Sequence, residues 1–177
     1  MLPPDPSTLG PGVEQAPSRL ARASRPAAVR LGQVAVLATL ATLLAGCGKV
    51  AVVEPTPDAG VAQVCGGVMG ALPEKVLDQG RRTVEPGVLS SAWGRPAIVL
   101  RCGVTAPAAL TPTSECLEVN GVGWFAEEAQ NGLIFTTIGR PAYVEVAVPT
   151  TYAPESGALA DLSDAVAAHD PVTTPCQ

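Results

Sequence analysis

The chain has 177 residues, 47% of them hydrophobic and 15% charged, with a formal net charge of −5 at pH 7. That length suits one modest domain and little more. The acidic balance argues against a nucleic-acid partner and against a polybasic grip on anionic lipid, because both rest on clustered Lys and Arg.

Residues 1–46 read as a targeting signal. Arg19, Arg22, Arg25 and Arg30 give a positive start opposed only by Asp5 and Glu14, and the stretch Leu31–Gly46 carries no charge. A charged n-region, an apolar h-region and small residues at the cut define a secretory signal. The run is short for a permanent span, which takes about 17–25 apolar residues. Leu44-Ala45-Gly46-Cys47 matches a lipobox, in which small side chains fit the peptidase and the cysteine sulfur takes a diacylglyceryl group. Lipidation of Cys47 is therefore expected, with the chain held on the extracytoplasmic face of the cell membrane. The n-region is long and proline-rich, as a disordered leader would be, and a translation start nearer Val29 would account for its length.

The mature chain, Cys47–Gln177, has 131 residues with seven Lys/Arg against fourteen Asp/Glu. With Cys47 assigned to lipid, Cys65, Cys102, Cys116 and Cys176 remain. An even number in an exported domain implies two disulfides, with three possible connectivities. Cys102–Cys116 is favoured because it closes a short turn-rich loop, and Cys65–Cys176 because it ties the domain's start to its end.

Residues 47–62 read as a flexible tether, since Pro55, Pro57 and Gly60 deny it a helix or central strand. Val50–Val53 is at most an edge strand. The folded domain is expected over residues 63–177. Cys65, Val68, Met69, Leu72 and Val76 recur at helical spacing, with Gly66, Gly67 and Gly70 suited to close packing on a sheet. Pro73 is expected to open a second short helix ending at Gly80. Ala97–Cys102 reads as a strand. Asn120-Gly121, Asn131-Gly132 and Gly139-Arg140-Pro141 read as turns of successive hairpins, joining Leu117–Val119, Val122–Ala126, Leu133–Ile138 and Ala142–Val148. In the last of these Val144, Val146 and Val148 alternate with Tyr143, Glu145 and Ala147. Leu159, Leu162 and Val166 mark a final helix, with Ser156 as N-cap and Pro171 beyond its end. The expected fold is α+β: an antiparallel β-sheet of four or five strands packed with an N-terminal and a C-terminal helix, closed by two disulfides.

The segments Ser91–Val104, Gly121–Glu127 and Phe135–Pro149, followed by the terminal helix, resemble an actinobacterial family catalogued as domain of unknown function 3515. Trp93-Gly94-Arg95-Pro96 and Arg101-Cys102-Gly103 are the most distinctive part, and the resemblance covers roughly Cys65–Gln177. It implies an exported or lipid-anchored actinobacterial protein and supplies no catalytic residues.

No catalytic constellation emerges from the sequence. The only histidine, His169, ends the last helix beside Asp170, where a cation favours the dipole. The GGVMG run at Gly66–Gly70 lacks the lysine and preceding strand of a phosphate loop. Asp161 and Asp164 at i, i+3 make no oxygen cage for calcium, so no metal or cofactor is expected. Glu118, Glu127, Glu128 and Glu145 could serve a small cell-envelope hydrolase needing two facing carboxylates. Trp93, Arg95, Arg101, Trp124, Arg140 and Tyr143 could instead form a ligand or partner surface. In that case Trp124→Ala with Arg140→Ala would abolish partner capture and leave Tm nearly unchanged. The leading expectation is an accessory or binding module that presents its domain to an envelope protein or a cell-wall component, with a hydrolase or a purely structural protein as alternatives.

Overall fold

Asp58 sets the beginning of the first helix: its Oδ1 accepts the amides of Gly60 at 2.9 Å and Val61 at 3.0 Å. Such a cap satisfies donors that a helix start otherwise leaves unpaired. The computed structural model describes residues 48–176, so the stretch expected as a targeting signal, and Cys47, lie outside the described residues. Helix α1 runs Ala59–Ala71 and stops at Leu72, ahead of Pro73. The sequence expectation began this helix four residues late, because the cap belongs to a segment read as tether.

The second short helix expected after Pro73 is instead a β-hairpin. Following β1 (Val50–Ala51), strands β2 (Lys75–Val76) and β3 (Gln79–Arg82) pair antiparallel. Leu77 and Asp78 make the turn at φ +48° and +60°, the left-handed geometry of tight hairpins. Neither is glycine or asparagine, so the usual turn signal is missing. The turn is held from outside, where Asp161 Oδ2 accepts the Leu77 amide at 2.8 Å.

The rest of the sheet comprises β5 (Ser90–Trp93), β6 (Ile98–Cys102), β7 (Leu117–Val119), β8 (Val122–Ala129), β9 (Gly132–Thr137) and β10 (Val144–Pro149). The spatial order is β2-β3-β5-β6-β10-β9-β8-β7, all antiparallel. The sheet thus has eight strands where four or five were expected; the extra ones are the two strands of the β2–β3 hairpin and β5. Asn120 and Gly121 turn between β7 and β8 at φ +49° and +75°, as their sequence requires. The next turn is shifted by one residue: Ala129 pairs with Gly132, so Gln130 and Asn131 make it and Gly132 opens β9. A Cβ on Gly132 would run into the Val148 carbonyl. Helix α2 covers Gly157–His169. Ser156 precedes it without a side-chain capping bond.

Both helices lie on one face of the sheet. Val144, Val146 and Val148 point there, with Ile98, Leu100, Phe135, Trp93 and Trp124 beside them, and meet Cys65 and Val68 of α1 and Leu159, Leu162 and Val166 of α2. This is one continuous core. Gly67 serves helix packing rather than sheet packing, since a Cβ there would clash with the His169 ring. Among the described residues no helix is long and apolar enough to cross a membrane.

The disulfides are not the favoured pairs. Cys65 joins Cys102, with Cα atoms 5.5 Å apart, and Cys116 joins Cys176 at 5.8 Å. Cys102 lies opposite Val144 in the sheet and so faces α1, while Cys116 precedes β7 at the far side. A short loop in sequence does not bring its ends together when they leave the sheet at different strands.

Candidate functional site

The face away from the helices carries the polar chemistry. Register aligns Ser90, Arg101, Glu145, Thr136 and Phe125 in one row across β5, β6, β10, β9 and β8. Arg101 and Glu145 are cross-strand partners, and Glu145 Oε1 accepts Arg101 Nε at 2.9 Å and Nη2 at 2.6 Å. Thr136 is buried although it lies on this face.

The segment expected as a free tether runs along the domain. β1 pairs in parallel with β4 (Val84–Glu85), and Val50 and Val52 donate to the carbonyls of Thr83 and Glu85 at 2.9 and 3.2 Å. Lys49 Nζ lies 3.0 Å from Glu85 Oε2, and Arg82 donates to the Gly48 carbonyl. Glu54 is the strongest tie. Its carboxylate accepts the Leu89 amide, and the Ser90 hydroxyl at 2.6 Å. Burial pushes the Glu54 carboxyl up, but the Ser90 hydroxyl and the amides of Leu89, Gly87 and Val88 outweigh it and hold it below the ordinary carboxylate value. A depressed folded-state value means stability that is present above the unfolded pKa and lost as pH falls through the folded one. Glu54→Gln, which weakens these part-exposed hydrogen bonds, is expected to cost up to about 1 kcal/mol near neutral pH. The difference from wild type should shrink steadily below the ordinary carboxylate range. Urea denaturation of both proteins across acidic pH checks this.

Clamped in this way, residues 53–58 become one wall of a cleft of about 810 Å³. The loop from Gly103 to Ala108 forms another wall, and Arg101, Glu127, Tyr143 and Glu145 line it from the sheet. Glycine is required at 103, at φ +86°, where a Cβ would meet the Pro57 ring at 2.6 Å. Glu54, Asp58, Glu127 and Glu145 also line the cleft, against one cation, Arg101. The balance suits a basic or amine-bearing ligand.

The six residues expected as one surface are divided by the sheet. Trp93 and Trp124 are fully buried on the helix face and belong to the core, because their positions alternate with those of the cleft face. Trp93 Nε1 donates to the Pro73 carbonyl at 3.1 Å, and Arg81 stacks over its ring. Arg140 is 8% exposed. It donates to the carbonyls of Asp170 and Gly121, fastening the end of α2 to the sheet. Burial pushes the Asp170 carboxyl up, against the opposing pull of the Ala142 amide and the Arg140 charge. Arg95 is exposed, near Gly48. Only Arg101 and Tyr143 reach the cleft. Sequence reasoning missed Glu54 as a cleft residue, and its lone carboxylate in a proline-rich run gave no signal.

The acidic quartet is divided too. Glu118, Glu127 and Glu145 share the cleft face by register, and Glu128 points to the other. His169 ends α2 against Gly67, on the helix side. Among the described residues no three His, Cys, Asp or Glu side chains group as metal ligands.

No curated protein and no solved structure matches the chain. A family described as protein of unknown function (DUF3515) matches residues 25–174, which takes in both helices, the whole sheet and the cleft. The chain belongs to that family.

Proposed function

We propose that the protein is a lipid-anchored binding module of the cell envelope. On this reading its cleft holds a basic or amine-bearing segment of an envelope partner. The observation that carries the reading is the excess of carboxylates in a cleft whose wall is the anchor-side segment itself. A site built from the first residues after Cys47 would stay at a fixed distance from the membrane. That geometry suits recruitment of something else held at the same surface.

A photocrosslinker placed at Tyr143 tests this in cells. The expected result is one recurring adduct that Glu127→Lys abolishes and Glu128→Lys leaves intact. These neighbouring residues carry the same charge change to opposite faces of β8. Release from the membrane by Cys47→Ala should also weaken capture, by lowering the effective concentration. An adduct indifferent to Glu127→Lys, or no adduct, would count against the cleft.

A further inference from the structure

The cations are unevenly placed. Lys49 and Lys75 are the only lysines of the mature chain, and both lie on the β1–β4 and β2–β3 side. Arg81 and Arg82 are on β3, and Arg95 follows β5. Five of the seven mature-chain Lys and Arg residues thus sit at one end of the sheet order. Acids are present there too: Glu85 pairs with Lys49 and Glu74 with Arg81, Asp78 is in the β2–β3 turn, and Asp161 reaches that turn from α2. The opposite edge, β7–β8, carries Glu118, Glu127 and Glu128, with Glu115 just before it, and no Lys or Arg. Charge therefore runs from basic to acidic across the eight strands.

The basic end is also where the chain enters the domain. A Cβ on Gly48 would lie 3.6 Å from Arg95 Nη2 and 3.8 Å from Arg82 Nη2. Lys49 is more than half exposed, even though it pairs with Glu85. Gly48 directly follows Cys47, and Arg82 holds its carbonyl, so no slack separates the anchor position from these cations.

We infer that Lys49, Arg82 and Arg95 form a basic collar that docks on anionic lipid headgroups around the anchor. It rests on the lipid-anchor reading for its place at the membrane. An acidic domain with net negative charge is repelled by an anionic leaflet on average. A local cationic patch at the point of attachment turns that repulsion into orientation: the β2–β3 edge faces the lipid and the β7–β8 edge faces away. Each exposed Lys or Arg near such a surface contributes a factor of roughly five in binding, and the interaction fades beyond a Debye length.

The two lysines are their own reporters. The mature protein is purified with its natural N-terminus and its intact mass is measured. It is then placed in vesicles of phosphatidylcholine alone, or of phosphatidylcholine with phosphatidylglycerol, and treated with a neutral amine reagent. The expected result is that Lys49 reacts roughly fivefold or more slowly on the phosphatidylglycerol vesicles. That protection should vanish near 1 M salt, where the screening length is about 3 Å, and should weaken in Arg95→Glu. Equal rates on the two vesicle types in the acylated protein would overturn the collar. If the mass shows no lipid on Cys47, the anchor reading fails by itself. The collar is then judged by co-sedimentation of the unacylated chain: binding to phosphatidylglycerol vesicles and not to phosphatidylcholine supports it, and binding to neither refutes it.

Discussion

Trp124→Ala is expected to destabilise the domain by about 3–5 kcal/mol, the range for truncating a buried tryptophan. That corresponds to a fall in Tm of roughly 10–20 °C for a domain of this size. Trp124 is fully buried, on the helix-facing side of β8 between the sheet and α2. Its truncation would leave a cavity in a core that the two helices and the sheet share. The ring matters more than its N–H, because Nε1 finds no hydrogen-bond partner among the described residues. Trp124→Phe should therefore cost much less than Trp124→Ala. Arg140→Ala should also destabilise, by leaving the buried Asp170 carbonyl without its donor and removing a part-buried bond to the Gly121 carbonyl. These outcomes reverse what a ligand surface at Trp124 and Arg140 would give, in which binding falls and stability holds. Guanidinium denaturation of the variants separates the two, and a Trp124→Ala protein as stable as wild type would remove the residue from the core.

Removing the Cys65–Cys102 bridge by the double substitution to alanine is expected to cost about 4 kcal/mol in the chain-entropy account. The sequence separation is 37 residues for this bridge and 60 for Cys116–Cys176, so the second should stabilise by a similar amount. The two differ in place. Cys65 and Cys102 are fully buried in the main core and fasten α1 to β6. The Cys116–Cys176 sulfurs instead cover Gly123, where a Cβ would meet Cys176 Sγ at 2.7 Å, and pin the C-terminal segment across β8. Loss of the first should lower global stability, and loss of the second should first free residues 171–176. Proteolysis at Glu115 without reduction separates Cys102 from Cys116. Mass spectrometry should then find Cys65 linked to Cys102; a link from Cys102 to Cys116 would contradict this pairing.

Local patterns made the central meander readable. Asn120-Gly121 announces its own hairpin, and the strict alternation through Val144, Val146 and Val148 fixes which face is buried, as the structure bears out. The final helix was legible from Leu159, Leu162 and Val166. What escaped depends on partners distant in sequence. The Leu77-Asp78 turn has no glycine and is held by Asp161 from α2. The proline-rich segment before α1 looks like linker, yet Glu54 finds its donors more than thirty residues away. The candidate surface failed for a related reason. Arginines and aromatics cluster in sequence, but Trp124 and Tyr143 fall on opposite faces of one sheet. Arg101 and Glu145 were both visible as candidates, and only strand register brings them together.

The clamped segment from Gly48 to Asp58 underlies both the cleft and the position of the basic collar. Amide hydrogen exchange of this segment in the mature protein is its most direct test. The amides of Val50 and Val52, bonded to Thr83 and Glu85, and that of Leu89, bonded to Glu54, should be protected by orders of magnitude over an unstructured peptide. They should lose protection together in Glu54→Gln. Exchange of Val50 and Val52 at the unstructured rate, with the rest of the sheet protected, would show a free tether. It would remove the cleft's wall and the fixed place proposed for the anchor together.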